Sequence, residues 1–217
     1  MALERLLGHQ DEPHSVEDLR GRGLNFDPGQ LDALARDGGG HEDDLRQSLA
    51  REPPGEPVPG GSWDVARRLI GDYAFADGSA VQADFDHAAP LEGRDMLLRA
   101  SFYGLRFDMG VRGGAVRDET RVAHGRRARV WGWTYSTLDG HLERGRMDYE
   151  VWKWLDSGEV EFRITAVSTR ADIRNPIVRA GVALFARREQ LRFYHHALER
   201  MAQLTAAGAG PSRAGPV

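Results

Sequence analysis

The segment 138–145, reading Leu-Asp-Gly-His-Leu-Glu-Arg-Gly, holds the side chains best suited to chemistry. His141 can exchange protons near neutrality, and Glu143 is a carboxylate that could orient it, the minimum for general acid–base work. Tyr135 and Thr137 share one face of the strand leading into the loop, where Tyr135 could act as a donor. Gly140 and Gly145 allow backbone angles closed to other residues, so the loop can fold tightly and aim its side chains. The same residues would also make an ordinary hairpin turn tied by its own hydrogen bonds. No nucleophile stands beside them, which favours the turn.

A metal is the other use for His141 and Glu143, but a third ligand is needed. His195 and His196 do not supply it, because adjacent helix positions point about 100° apart. His195 with Glu199 makes a helix-surface pair. No metal or other cofactor is therefore expected. Asp84 and Asp86 share a strand face, as carboxylate pairs of glycosidases or cation sites do. With Phe85 turned to the core, both acids face water instead. Trp131, Trp133, Tyr135 and Thr137 lie on one strand face, and Trp152 and Trp154 share a face of the next strand. Such aromatic walls line apolar ligand cavities and equally well fill cores. These six residues and His141 are the candidate ligand-binding set. Arg187, Arg188 and Arg192 could meet anionic lipid headgroups, although a solvated helix face explains them as well.

Composition narrows the classes. A net charge of -4 argues against a nucleic-acid partner, which normally meets a basic surface. Lys153 is the one lysine; arginine carries the remaining basic charge. Without cysteine there is no disulfide, zinc-thiolate site or thiol nucleophile, in keeping with a reducing compartment. No signal-like segment or transmembrane run is present, so a soluble cytoplasmic protein is expected.

The elements that must position these residues follow from periodicity. Residues 1–61 are acidic and rich in Gly and Pro, and read as a poorly ordered extension with short helices at 31–36 and 45–50 and a linker at 52–61. Order is expected from residue 62, with Ser62 capping a helix to Asp72. Strands follow at 81–85, 97–102, 105–111, 115–122, 128–138, 146–155 and 159–168; short turns make neighbours antiparallel. Val160, Phe162, Ile164 and Ala166 form an apolar face that needs a cover. Asn175-Pro176 starts a helix whose stripe of Ile177, Gly181, Leu184, Phe185, Leu191, Tyr194, Leu198 and Met201 supplies it. That helix runs to Leu204, about 40 Å, and 205–217 reads as a disordered tail. The fold class is α+β, with one domain at 62–204: a curved antiparallel sheet gripping a long C-terminal helix.

The block from Val130 to Gly145 (VWGWTYSTLDGHLERG), with Tyr149-Glu150-Val151, the strand from Val160 to Ile164 (VEFRI) and Arg187-Arg188, resembles the bacterial family of unknown function DUF1990. Its Gly-His-x-Glu-x-Gly element and the preceding Tyr-x-Thr are the most specific features. Before Gly61 only Leu24-Asn25-Phe26 matches faintly. The resemblance implies a helix-grip fold of the START and polyketide-cyclase type, with a cavity for apolar ligands, and no established reaction. The leading expectation is a module binding an apolar or amphipathic small molecule or lipid. An enzyme using His141, Glu143 and Tyr135 in the same cavity is the alternative, and a regulatory or interaction protein with a packed core and no ligand the third. Oligomeric state is left open.

Overall fold

The computed structural model describes residues 13–37, 40–76, 81–102, 105–171 and 176–208. In chain order these form a short 3-10 turn at Glu17–Leu19, α1 (Leu31–Asp37), β1 (His41–Ser48), α2 (Ser62–Gly71), β2 (Val81–Phe85), β3 (Asp95–Phe102), β4 (Leu105–Ala123), β5 (Arg126–Thr137), β6 (Glu143–Trp154), β7 (Val160–Arg170) and α3 (Pro176–Gly208). The strands make one antiparallel sheet in the order β1-β7-β6-β5-β4-β3-β2. It is the expected α+β, helix-grip arrangement, with α3 packed against α2, β1 and β7.

β7 behaves as its alternation dictates: Val160, Phe162, Ile164 and Ala166 are buried on the face under the helices. The two strands expected at 105–111 and 115–122 are one long strand, β4. An irregularity between Gly113 and Val116 interrupts its pairing with β5, and such a bulge bends a strand without ending it. The tight turn expected at Tyr103-Gly104 lies outside the described residues, as do residues 209–217 of the expected tail. So do the side chains at positions 177, 181, 184 and 185 of the expected apolar stripe; Tyr194, Leu198 and Met201 are buried as the stripe requires.

The largest departure is in the first sixty residues. Residues 45–50 are not a helix. They belong to β1 and its exit, and β1 pairs along its length with β7 from His41↔Ser168 to Ser48↔Glu161. The linker is equally integral. Lys153, fully buried on β6, donates to Glu52 Oε2 at 2.7 Å and to the Glu56 carbonyl at 2.8 Å. The other oxygen of Glu52 accepts the Trp63 amide at 2.8 Å, and Ser62 donates its hydroxyl to the Ala50 carbonyl instead of capping the helix. Glu52 thus caps α2, where a carboxylate also meets the positive end of the helix dipole. Leu19 packs with Leu97 and Leu138 on the sheet face away from the helices. A domain boundary at residue 62 therefore cuts through the sheet and through a buried ion pair.

Candidate functional site

Strand register stacks the inner face of β5, β6, β7 and β1 into rows. Trp131, Val151, Phe162 and Gln47 lie side by side, then Trp133, Tyr149, Ile164 and Leu45, then Tyr135, Met147, Ala166 and Asp43. Beyond these stand Gly145, Ser168 and His41. The first two rows are filled by large rings and covered by α2 and the turn after it. Trp133 Nε1 donates to the Ile70 carbonyl at 3.0 Å, and Phe75 packs on Tyr149 and Phe162 with centroids 4.7 and 5.4 Å away. The outer rows set Tyr135 and Met147 beside small and polar residues, and α3 lies against their β7 and β1 ends.

A chain of buried phenols joins the two halves. The Tyr73 and Tyr149 hydroxyls lie 3.3 Å apart, Tyr149 donates to Tyr135 at 3.4 Å, and Tyr135 donates to Met147 Sδ at 3.4 Å. Tyr194 reaches down from α3. Its hydroxyl is fully buried with no partner among the described residues. Burial raises the pKa of all four phenols, so each stays protonated at neutral pH. Tyr73 holds φ 54, the left-handed conformation ordinarily left to glycine at a helix end; the strain is retained where its ring meets Tyr149 and Phe75. One turn of α3 before Tyr194 lies a polar band. Arg187 makes a two-pronged bond with Asp43 at 2.6 and 2.5 Å and donates to Gln190 Oε1, while Gln190 Nε2 donates to Glu143 Oε2 at 3.0 Å.

The 138–145 loop sits at the rim of this half. Gly140 takes φ 93, as the turn requires. Gly145 is strand, held close to β7, where an added Cβ would lie 2.7 Å from the Val167 carbonyl. His141 Nδ1 accepts the backbone amide of Glu143 at 3.0 Å, so the neutral ring carries its proton on Nε2. The ring is desolvated although the residue as a whole is half-buried, and that desolvation pulls its pKa from 6.5 down to about 4. Histidine here ties a turn by accepting a hydrogen bond, and the Glu143 carboxylate is turned to Gln190. Thr137 serves the same loop: its hydroxyl bonds Asn25 Oδ1 at 2.6 Å and receives the Gly145 amide at 2.9 Å. Asn25 Nδ2 donates in turn to the Glu143 carbonyl at 2.8 Å.

Of the candidate ligand-binding residues, Trp131, Trp133 and Tyr135 face the helices, with Thr137 and His141 at the rim. Trp152 and Trp154 do not join them. They lie on the opposite face of β6 beside Ala128 and Val130. There Arg163 covers Trp152 at 3.8 Å and Arg126 covers Trp154 at 4.6 Å, while their indoles donate to Glu150 and Glu161. Cation–π stacking and these bonds bury the indoles without any helix above them. Tyr73, Tyr149, Tyr194, Asp43 and Gln190 are not among the sequence-derived candidates. The odd-numbered alternation shared with Met147 and Val151 could have placed Tyr149 on the inner face. Asp84 pairs with Arg99, and Asp86 accepts the Ala88 amide, so these acids do not act together. Arg192 pairs with Glu189. Among the described residues no group of three His, Asp or Glu side chains is placed to hold a metal ion, and no helix is long and apolar enough to cross a membrane.

The His141 environment predicts a pH response. As pH falls, the unfolded chain takes up the imidazole proton near 6.5 and the folded chain only near 4. The unfolded state therefore binds more protons in that window. The contribution is fully present above pH 6.5 and is lost as pH drops to 4, by up to about 1.4 kcal/mol per unit. His141→Asn keeps an acceptor near Nδ1 but does not titrate. Urea unfolding at pH 7 and 4.5 should show the variant losing less stability than the parent; equal losses would remove His141 from the account.

No curated protein matches the chain in sequence. Solved structures resemble it in shape. Ara h 8.0201 is 12% identical over 78% of this chain and 99% of its own, with a TM-score of 0.41. TTHA0849 from Thermus thermophilus is 10% identical over 77% and 98%, at 0.44. The major latex-like protein 151 from Panax ginseng is 12% identical over 79% and 99%, at 0.40. Residues 37–200 match the family described as Domain of unknown function (DUF1990), a span that takes in β1, the Glu52–Lys153 pair and most of α3. By that match the chain belongs to the DUF1990 family.

Proposed function

We propose that this protein binds an apolar or amphipathic small molecule between the outer rows of the sheet and α3. The observation that carries the reading is the Tyr194 hydroxyl, fully buried and without a partner among the described residues. Leaving such a group unmet costs about 1 to 3 kcal/mol, and a bound molecule would meet it. Small side chains at Gly145, Ala166 and Ser168 favour this half of the inner face over the half filled by rings. Apolar walls with a few convergent polar groups are the usual composition of a small-molecule site. Native mass spectrometry of protein purified gently from its own host should show a retained mass beyond the polypeptide. A polypeptide mass alone, with Tyr194→Phe indifferent in every assay, would sink the reading.

The same hydroxyl sets an expectation for stability. Tyr194→Phe removes an unmet polar group and keeps the ring, so the ligand-free protein should gain about 1 kcal/mol, or roughly 2 to 4 °C in melting temperature. A site maintained at the expense of stability behaves this way. A loss of several degrees would show that the hydroxyl is satisfied in solution.

A further inference from the structure

We infer that the bound molecule presents a neutral carbonyl oxygen to the hydroxyls of Tyr135 and Tyr194. The inference rests on the ligand-binding reading above and names what end of the molecule enters first.

It follows from counting protons. Each phenol owns one. Tyr149 gives its proton to Tyr135, so the bond between Tyr73 and Tyr149 must be donated by Tyr73. The chain therefore runs one way, from Tyr73 through Tyr149 and Tyr135 to Met147 Sδ. It ends on a thioether, a weak acceptor. Tyr194 adds a second proton with no acceptor among the described residues. Tyr135 thus gives its proton to a thioether, and the Tyr194 hydroxyl, whose electrostatic neighbours are Tyr135, Glu143, Asp43 and Arg187, has no acceptor among the described residues. An oxygen with two lone pairs would take both protons; a ligand offering only N–H or O–H protons would not relieve either. The links of the chain, at 3.3 to 3.4 Å, are long for O–H···O bonds. A strong acceptor at the end would polarise and shorten them in sequence. The acceptor is neutral rather than anionic because the phenols that meet it carry no charge, and Arg187, the cation beside Tyr194, is held in a two-pronged bond by Asp43.

Three naphthalenes of matched shape test this on the full chain: 2-acetylnaphthalene, 2-ethylnaphthalene and 2-naphthoate, titrated by calorimetry. The ketone should bind about tenfold more tightly than the ethyl compound, the worth of one to two neutral hydrogen bonds. Tyr194→Phe and Tyr135→Phe, checked for folding by their melts, should each erase most of the ketone's advantage over the ethyl compound. The infrared carbonyl stretch of the bound ketone should lie below its value in hydrocarbon and move back up in Tyr194→Phe. Equal binding of ketone and ethyl compound overturns the carbonyl inference and leaves the ligand-binding reading standing. Tighter binding of the naphthoate overturns the neutrality of the acceptor. Binding of none of the three overturns both the inference and the reading on which it rests.

Discussion

Lys153→Met should destabilise the fold by about 3 to 5 kcal/mol, the usual consequence of removing one partner from a buried ion pair. Methionine matches the volume of the lysine stem, so packing is nearly unchanged and charge is what is tested. The Glu52 carboxylate would stay beneath α2, 6% exposed, with no cation to meet it. Its other contacts, the Trp63 and Val58 amides, would hold it in place instead of releasing it to water. At roughly 2 to 4 °C per kcal/mol the melting temperature should fall by roughly 6 to 20 °C. Glu52→Gln should be similarly damaging from the other side, because it keeps an acceptor for the helix amide but strands the ammonium. The double variant should lose less than the two single losses added together, since each single change leaves one buried charge alone. Urea unfolding at pH 7 of the four proteins closes the cycle. A loss below about 1 kcal/mol for Lys153→Met, the scale of an exposed pair, would mean that the site admits water and the pair is not buried in solution. The position also shows why one lysine survives in a chain that otherwise uses arginine. A compact ammonium fits between a carboxylate and a carbonyl 2.7 and 2.8 Å away, where a planar guanidinium needs a wider fork.

That pair also marks where the sequence stops being legible. β7 can be read directly because every second residue is apolar and one face is buried. β1 cannot. Its eight residues include one large apolar side chain, Leu45, and its inward positions Asp43 and Gln47 look like solvent-facing residues. Asp43 is tolerated inside because Arg187, 144 residues away, closes on it. Periodicity records local facing and carries no trace of a partner so distant. Glu52 likewise reads as part of a Pro-rich linker, though its partner lies 101 residues on. The facing of Trp152 and Trp154 is hidden for another reason. Met147, Tyr149 and Val151 are apolar on one side of β6, and the two tryptophans are apolar on the other. Alternation cannot choose between two apolar faces; only the stack of arginines over the indoles does.

For the candidate site, the loop is legible as a tight turn and the chemistry inside it is not. The Gly-His-x-Glu-x-Gly spacing implies such a turn, and His141 and Gly140 make one. The spacing cannot say that the imidazole meets the Glu143 amide rather than its carboxylate. Nor can it show that Asn25, outside the matched family span, clamps Thr137 and Glu143 together. Four of the five tyrosines, at positions 73, 135, 149 and 194, have no spacing to connect them; the turn after α2 and the sheet bring the first three hydroxyls together, and α3 adds Tyr194.

A chain beginning at Ser62 should fail to fold, whereas one beginning at Gly40 should melt cooperatively. The shorter chain loses three things together. Without β1, the backbone of β7 from Glu161 to Ser168 becomes an unpaired edge beside the buried Phe162 and Ile164, a surface prone to pair with other chains. Without Glu52, Lys153 is a lone buried charge and α2 loses the acceptor for its Trp63 amide. Without Asp43, Arg187 loses the carboxylate that ties α3 to the sheet edge. The ion-pair loss alone approaches the lower end of the roughly 5 to 15 kcal/mol that stabilises a domain, and the loss of a strand adds to it. The chain from Gly40 keeps all three and gives up α1 with its buried Leu31 and Ala35, the Leu19 cluster, the Asn25 clamp and the bonds of Arg112 to the Leu19 and Arg22 carbonyls. None of these is a strand of the sheet or a member of the buried ion pair, so it should remain folded at a cost of several kcal/mol, about the scale of several hydrogen bonds and two packed leucines. Far- and near-ultraviolet circular dichroism during heating distinguishes the cases. The Ser62 chain should retain some secondary structure but no sharp transition and no near-ultraviolet signal from its tryptophans. A soluble Ser62 chain that melts sharply within a few degrees of the full protein would mean that β1 and Glu52 are ornaments on a self-sufficient sheet.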